Sequence, residues 1–218
     1  LSTLLDQTGP DAPTLCAGWQ TSDLAAHLVL REHRPDAAVG ILGGPLASYT
    51  ERIQHNLSAR TPFPMLVELI RTGPPRLSLF GLPGVDAKAN FAEYFVHHED
   101  VRRAQPRWEP RRLDDSLNNA IWDQLRQARL MLRKVPVGIE FARDDVAQRS
   151  GTQRSADQTA GEPRAVRMTL RARTPMVTVI GPPAELLMWA FGRTSGALVQ
   201  LEGAEADVAA LKQSNWGI

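Results

Sequence analysis

Cysteine is almost absent from this chain: Cys16 is the only one among 218 residues. An internal disulfide is therefore excluded, and so is a zinc cluster built from several thiolates. One unpaired thiol suits a reducing compartment, so the expected location is cytoplasmic. Lysine is nearly as scarce, confined to Lys88, Lys134 and Lys212. Arginine carries the rest of the positive charge, a bias that points to a GC-rich source and not to a function. An excess of either sign is missing too, with Lys+Arg 25 against Asp+Glu 24 and a formal net charge of +1. That balance gives no electrostatic reason to expect nucleic acid or an anionic membrane as partner. No apolar run approaches the ~20 residues a membrane helix needs. The first ten residues lack the basic start and apolar stretch of a signal peptide.

What is present is ordinary in amount and informative in order. Hydrophobic residues make up 43% and charged residues 22%, the composition of a globular protein. To about Lys134 the signals are helical. Thr21 or Ser22 can cap a helix with Asp23 in its first turn, and Leu24, Leu28 and Leu30 follow. That helix should fade near Pro35. Pro45 can open a second helix towards Asn56, and Pro64 a third that ends at Gly73-Pro74-Pro75. A long helix is expected from about Asp86 to Ala104. Another begins at Asp114 or Asp115, with Leu117, Ile121, Leu125 and Leu132 on one stripe.

After Pro136 the texture changes. Residues 137–141, 166–170, 176–180 and 198–201 read as strands. The stretch from Gln148 to Pro163 is polar and reads as a mobile loop. Helices are expected from Ala184 to about Gly192 and from Glu205 to Gln213. The fold class is therefore α+β: a helical segment over 1–134, then a small α+β domain over 135–218.

Glu93-Tyr94-Phe95-Val96-His97 is the strongest local signal. Residues four apart share a helix face, with Cβ atoms about 5–6 Å apart, so a carboxylate and an imidazole there can reach one ion. The pair sits among Phe91, Phe95, Val96 and Val101, where an unpaired carboxylate would be costly to bury. Exposed Glu/His pairs are the commoner origin of such spacing. His27 changes the weighing, because it lies on or beside the Leu24–Leu28 stripe of an earlier helix. Helical bundles build metal sites from facing helices in this way. His98 points about 100° away from His97, and Glu93 matches only His97 at i,i+4, so His97 is preferred. His98, Glu99 and Asp100 are then candidates for outer support or surface contacts. Cys16 has no basic neighbour in sequence and reads as a small buried residue beside Trp19, neither ligand nor nucleophile. Two histidines and one carboxylate leave an open position on a tetrahedral ion, the pattern of catalytic zinc. Nickel or another first-row metal fits the same donors.

Two stretches, Leu15-Cys16-Ala17-Gly18-Trp19 with Asp23-Leu24-Ala25-Ala26-His27-Leu28, and Phe95 to Arg103, resemble the two metal-site motifs of the mycothiol-dependent maleylpyruvate isomerase family. That family is part of the DinB-like helical bundles, and the likeness extends to an actinobacterial branch described as metal-binding. Residues 181–187 with Phe191-Gly192-Arg193 resemble its C-terminal α+β domain. The resemblance implies a DinB-like four-helix bundle with His27, Glu93 and His97 as metal ligands. It also implies mycothiol as thiol cosubstrate, and an isomerase or S-transferase acting on a small electrophilic, even anionic, substrate. Arg193 matches a functionally important arginine of the family. The competing expectation is a non-catalytic metal-binding protein or small-molecule binding module.

Overall fold

A computed structural model describes residues 1–34, 45–74, 85–144, 166–214 and 216. The fold is mixed α+β, with eight α-helices and one four-stranded sheet among the described residues. It divides into two compact units, Leu1–Pro110 and Arg111–Ile218. The polar stretch from Gln148 to Pro163 lies outside the described residues.

The first unit contains α1 (Ser2–Thr8), α2 (Thr21–His33), α3 (Ala47–Arg60), α4 (Phe63–Thr72) and α5 (Val85–Arg103). Helix α2 is its centre. Every residue from Leu24 to Leu30 is buried, the pattern of a helix covered on all sides. Helices α3 and α4 pack on it, and Leu5, Leu66, Val67, Ile70 and Val101 share its core. The cap of α2 differs from expectation. Gln20, not Thr21 or Ser22, is the capping residue. The Thr21 hydroxyl is turned to the Gly9 carbonyl instead, and the Asp23 carboxylate accepts from the Gln20 N–H at 3.1 Å. Helix α4 starts as expected, with Pro62 before it and Pro64 in its first turn, and stops at Gly73, whose φ of 75° suits a residue without a Cβ.

The second unit contains α6 (Asp115–Gln124), two short 3₁₀ turns (Leu125–Arg129 and Met131–Lys134), β1 (Gly138–Arg143), β2 (Val166–Arg171), β3 (Met176–Gly181), α7 (Pro183–Ala190), β4 (Gln200–Glu202) and α8 (Glu205–Gln213). Asp114 caps α6 by accepting from the Leu117 N–H at 2.7 Å. Sequence periodicity groups α6 with the preceding helices, yet it packs against α7 within the second unit. Its apolar stripe says that it must pack, not on what.

The sheet order is β2-β1-β3-β4, with β1 parallel to β3 and both outer pairs antiparallel. Gly138 opens β1 where a Cβ would lie 1.9 Å from the Arg173 carbonyl oxygen, so only glycine fits there. Ile139 and Phe141 of β1 and Val177 and Val179 of β3 are fully buried. Helix α7 is buried along its whole length, and its Trp189 meets Phe141 edge-on with ring centres 5.8 Å apart.

Candidate metal centre

The site is assembled in the first unit from α2, α5, α3 and the turn before α2. That turn explains the Leu-Cys-Ala-Gly-Trp stretch. Gly18 takes a φ of 79°, and the Trp19 N–H closes the turn on the Cys16 carbonyl at 3.0 Å. The Thr14 hydroxyl donates to the Trp19 carbonyl at 2.9 Å, and its oxygen accepts from the Cys16 N–H at 3.2 Å. The Leu15 N–H donates to the Asp100 backbone carbonyl at 3.0 Å, which ties the turn to α5. Trp19 is thereby set against His27, ring centre to ring centre 5.1 Å.

His27, Glu93 and His97 converge. One ligand atom from each lies within 4.8 Å of the others. The His27 and His97 rings meet edge-on at 5.2 Å, and His97 Nε2 lies 3.3 Å from Glu93 Oε2. Two donors on one tetrahedral zinc sit about 3.4 Å apart, given Zn–N and Zn–O distances of about 2.0–2.2 Å. The Glu93–His97 pair already has that spacing. All three side chains are nearly removed from solvent, with 5%, 9% and 5% exposure for His27, Glu93 and His97.

Neighbours orient each candidate ligand. Gln54 Oε1 lies 3.3 Å from His27 Nδ1, and Asp100 Oδ2 lies 2.9 Å from His97 Nδ1. With Nδ1–H donated to those oxygens, Nε2 of both rings keeps its lone pair for an ion. Arg31 Nη1 contacts Glu93 Oε1 at 3.0 Å, which leaves Oε2 on the side of His97. Asp100 is fully buried and also accepts from the Cys16 thiol at 3.2 Å.

The electrostatics show how strongly these groups depend on one another. Burial pushes His27 down to about 4, and the charge on His97 pushes the same way. Burial alone would raise Glu93, but the bond and charge of His97, with Arg31 and His27, hold it down at about 2. Burial likewise disfavours charge on His97, yet bonds to Asp100, Cys16 and Glu93 outweigh it and raise its pKa well above the ordinary value. The two carboxylates beside His97 thus favour its protonated form. A divalent ion replacing that proton keeps a positive charge where Glu93 needs one.

Asp100, Gln54 and Cys16 are the contributions that sequence reasoning left open or missed. Asp100 was one of three candidates for outer support, and the geometry selects it. Glu99 instead pairs with Arg102 and Arg103, each at 2.7 Å. Nothing in the spacing of Gln54 announced its role, since it comes from a separate helix. Cys16 has a basic neighbour in space that it lacks in sequence: its sulfur lies 3.9 Å from His97 Nδ1. Cys16, His97 and Asp100 therefore form a second group with ligand-like spacing. Both groups use His97, but through opposite ring nitrogens, whose lone pairs diverge. One ion cannot use both sides of that imidazole.

Arg193 lies in the second unit, just beyond α7. Its backbone N–H donates to the Met188 carbonyl at 3.0 Å, and its Nη1 donates to the Phe191 carbonyl at 2.7 Å. Locally it closes the C-terminal turn of α7, where a cation is favourable. No helix among the described residues is long and apolar enough to cross a membrane. Comparisons of the chain with protein-family models, with curated proteins and with solved structures found no match.

Proposed function

We propose that this protein binds one divalent ion, zinc in first place and nickel or another first-row metal in second, through His27, Glu93 and His97. The ion serves a thiol-dependent isomerase or S-transferase acting on a small electrophilic substrate. The convergence of two inward histidines and one carboxylate, each ring held at Nδ1 by a neighbour, carries this reading. Two imidazoles and one carboxylate match catalytic zinc sites, which keep a position open. Among the described residues no fourth His, Cys, Asp or Glu joins that group, which supports the open position.

A zinc ion bound there would hold a coordinated thiol as thiolate at neutral pH. The chain's own part is to fix the ligands and exclude water. Asp100 and Gln54 set the imidazole tautomers, Arg31 holds one oxygen of Glu93, and Trp19 covers His27. The thiol is mycothiol by resemblance to the isomerase family. The same resemblance supports reading α2 to α5 as a DinB-like four-helix bundle. It also makes Arg193 the cation for an anionic substrate, because a guanidinium binds a carboxylate through two hydrogen bonds. Arg193→Ala should raise KM for such a substrate and leave metal content unchanged. A fall in stability with unaltered KM would leave Arg193 as a helix-end residue only.

A second reading, a non-catalytic metal-binding protein, draws on the Cys16–His97–Asp100 group. An ion held there would be bound by a thiolate. Cobalt substitution separates the two. The first reading expects visible d–d bands that shift on adding mycothiol, without a near-ultraviolet thiolate-to-cobalt band before the addition. It also expects Cys16→Ser to keep its metal. A thiolate band in the protein alone, lost in C16S, decides for the second reading. Absence of stoichiometric metal after purification and reconstitution sinks both.

A further inference from the structure

The second unit holds a cavity that the metal site does not use. It has a volume of about 510 Å³ and lies between the turn that follows α7, strand β4 with its approach, and α8. That volume falls within the ~300–1,000 Å³ typical of small-molecule sites. We propose that this cavity binds a small anion with a planar apolar body, an aryl carboxylate in chemical class. The proposal is independent of the metal reading, because every described lining residue belongs to the second unit.

The lining combines three chemistries. Trp216 is the aromatic surface of the lining, half-buried and backed by the buried Trp189, with ring centres 4.7 Å apart and planes tilted by 49°. The Trp216 indole N–H donates to the Trp189 carbonyl at 3.2 Å. Its one polar atom is thus satisfied within the protein, and the ring is fixed as an apolar surface. Val199, Leu201 and Val208 add aliphatic surface. Among the described residues of the lining, Lys212 is the one charged side chain and none is a carboxylate. Thr194 and Ser195 on the same lining bring two further hydroxyl side chains, whereas the Ser214 hydroxyl donates to the Leu211 carbonyl at 2.7 Å. The Trp216 ring and the aliphatic side chains, next to one ammonium and the Thr194 and Ser195 hydroxyl side chains, match a flat apolar body ending in a carboxylate. A fully polar ligand would leave the Trp216 ring, Val199, Leu201 and Val208 facing water, and a neutral apolar one would gain nothing from Lys212.

Lys212 is scarce as well as well placed. It is one of three lysines in a chain whose positive charge is otherwise arginine. Among the described residues it has no carboxylate partner. A lysine supplies a point charge that follows a small head group without demanding bidentate geometry.

The test uses the full-length chain, with 2-naphthoate and its neutral analogue 2-naphthamide as probes, read by tryptophan quenching and by ligand-observed NMR. Naphthoate should bind saturably, and Lys212→Gln should weaken it about fivefold, the size of one partly exposed charge contact. Naphthamide should bind wild type about as weakly as naphthoate binds K212Q. Lys212 is exposed, so K212Q should fold normally, which circular dichroism checks. A carboxylate could also coordinate an ion in the first unit, so the titration is repeated after chelation. Binding that disappears with the metal overturns the assignment. So does naphthamide binding as tightly as naphthoate, or equal naphthoate binding by wild type and K212Q. Trp216→Ala provides the second arm: it should abolish saturable naphthoate binding while metal content stays constant, and retained binding overturns the proposal.

Discussion

Helices α2 and α7 are each the buried centre of their own unit, and each carries an ionisable side chain inside an apolar run. In α7 that residue is Glu185, 5% exposed, whose carboxylate accepts from the Leu198 N–H at 2.9 Å. Its function is to satisfy a backbone donor in the loop before β4. In α2 it is His27, equally buried, whose Nδ1 faces Gln54 while its ring meets His97. The two helices look alike in sequence, as apolar runs with one polar interruption. They differ in what the surroundings do with the polar group. Around Glu185 the backbone consumes it. Around His27 further titratable groups gather, and a lone pair remains directed at them. Buried polar groups must be partnered, so a partner that the chain itself does not fully supply is the sign of a ligand site.

The largest expected effect tests that difference directly. Replacing His97 by Ala removes a proposed ligand from the first unit, and zinc affinity should fall beyond the ~100-fold that an outer-shell loss causes. Competition with a chelator measures it, and His27→Ala and Glu93→Ala should behave alike. Affinity within a few-fold of wild type in all three would place the ion elsewhere.

Asp100→Asn comes next. The amide keeps the shape of the side chain, but it is a weaker acceptor for the His97 Nδ1–H. Zinc affinity should drop about 10- to 100-fold with helix content unchanged. Undiminished affinity would leave Asp100 as a structural anchor for the Cys16 turn and nothing more.

Glu185→Ala sharpens the other side of the comparison. It strands the Leu198 N–H, which should cost about 1–3 kcal/mol of stability in urea denaturation. Metal content should not change. A loss of metal in E185A would erase the distinction between a structural and a ligand-directed buried polar group.

The smallest effect is read per unit of pH. His27 titrates at about 4 in the metal-free folded chain, against 6.5 as its ordinary value. A depressed folded pKa means that the unfolded chain binds the extra proton, so stability is full above 6.5 and declines as pH falls towards 4. The decline is at most about 1.4 kcal/mol per pH unit. His27→Gln should flatten it when chelated protein is unfolded in urea at several pH values. An unchanged slope would place the acid-sensitive group elsewhere.

The sequence by itself determined a good deal. The α+β order, the helix over Glu93 and His97, the Pro-opened α4 and the strands after Pro136 follow from periodicity and from proline and glycine chemistry, which act within a few residues. The pairing of Glu93 with His97 was legible for the same reason, since an i,i+4 contact is fixed by one helix. Tertiary structure decided the rest. Whether α6 joins the first helices or the sheet depends on which apolar face meets its stripe. Gln54 and Cys16 come to the histidines from two separate segments, α3 and the turn before α2, whereas Asp100 shares α5 with His97. The Cys16 turn reaches Asp100 because Gly18 reverses the chain and Leu15 bonds to α5. Contacts across such distances depend on packing geometry, and packing writes no period into the sequence.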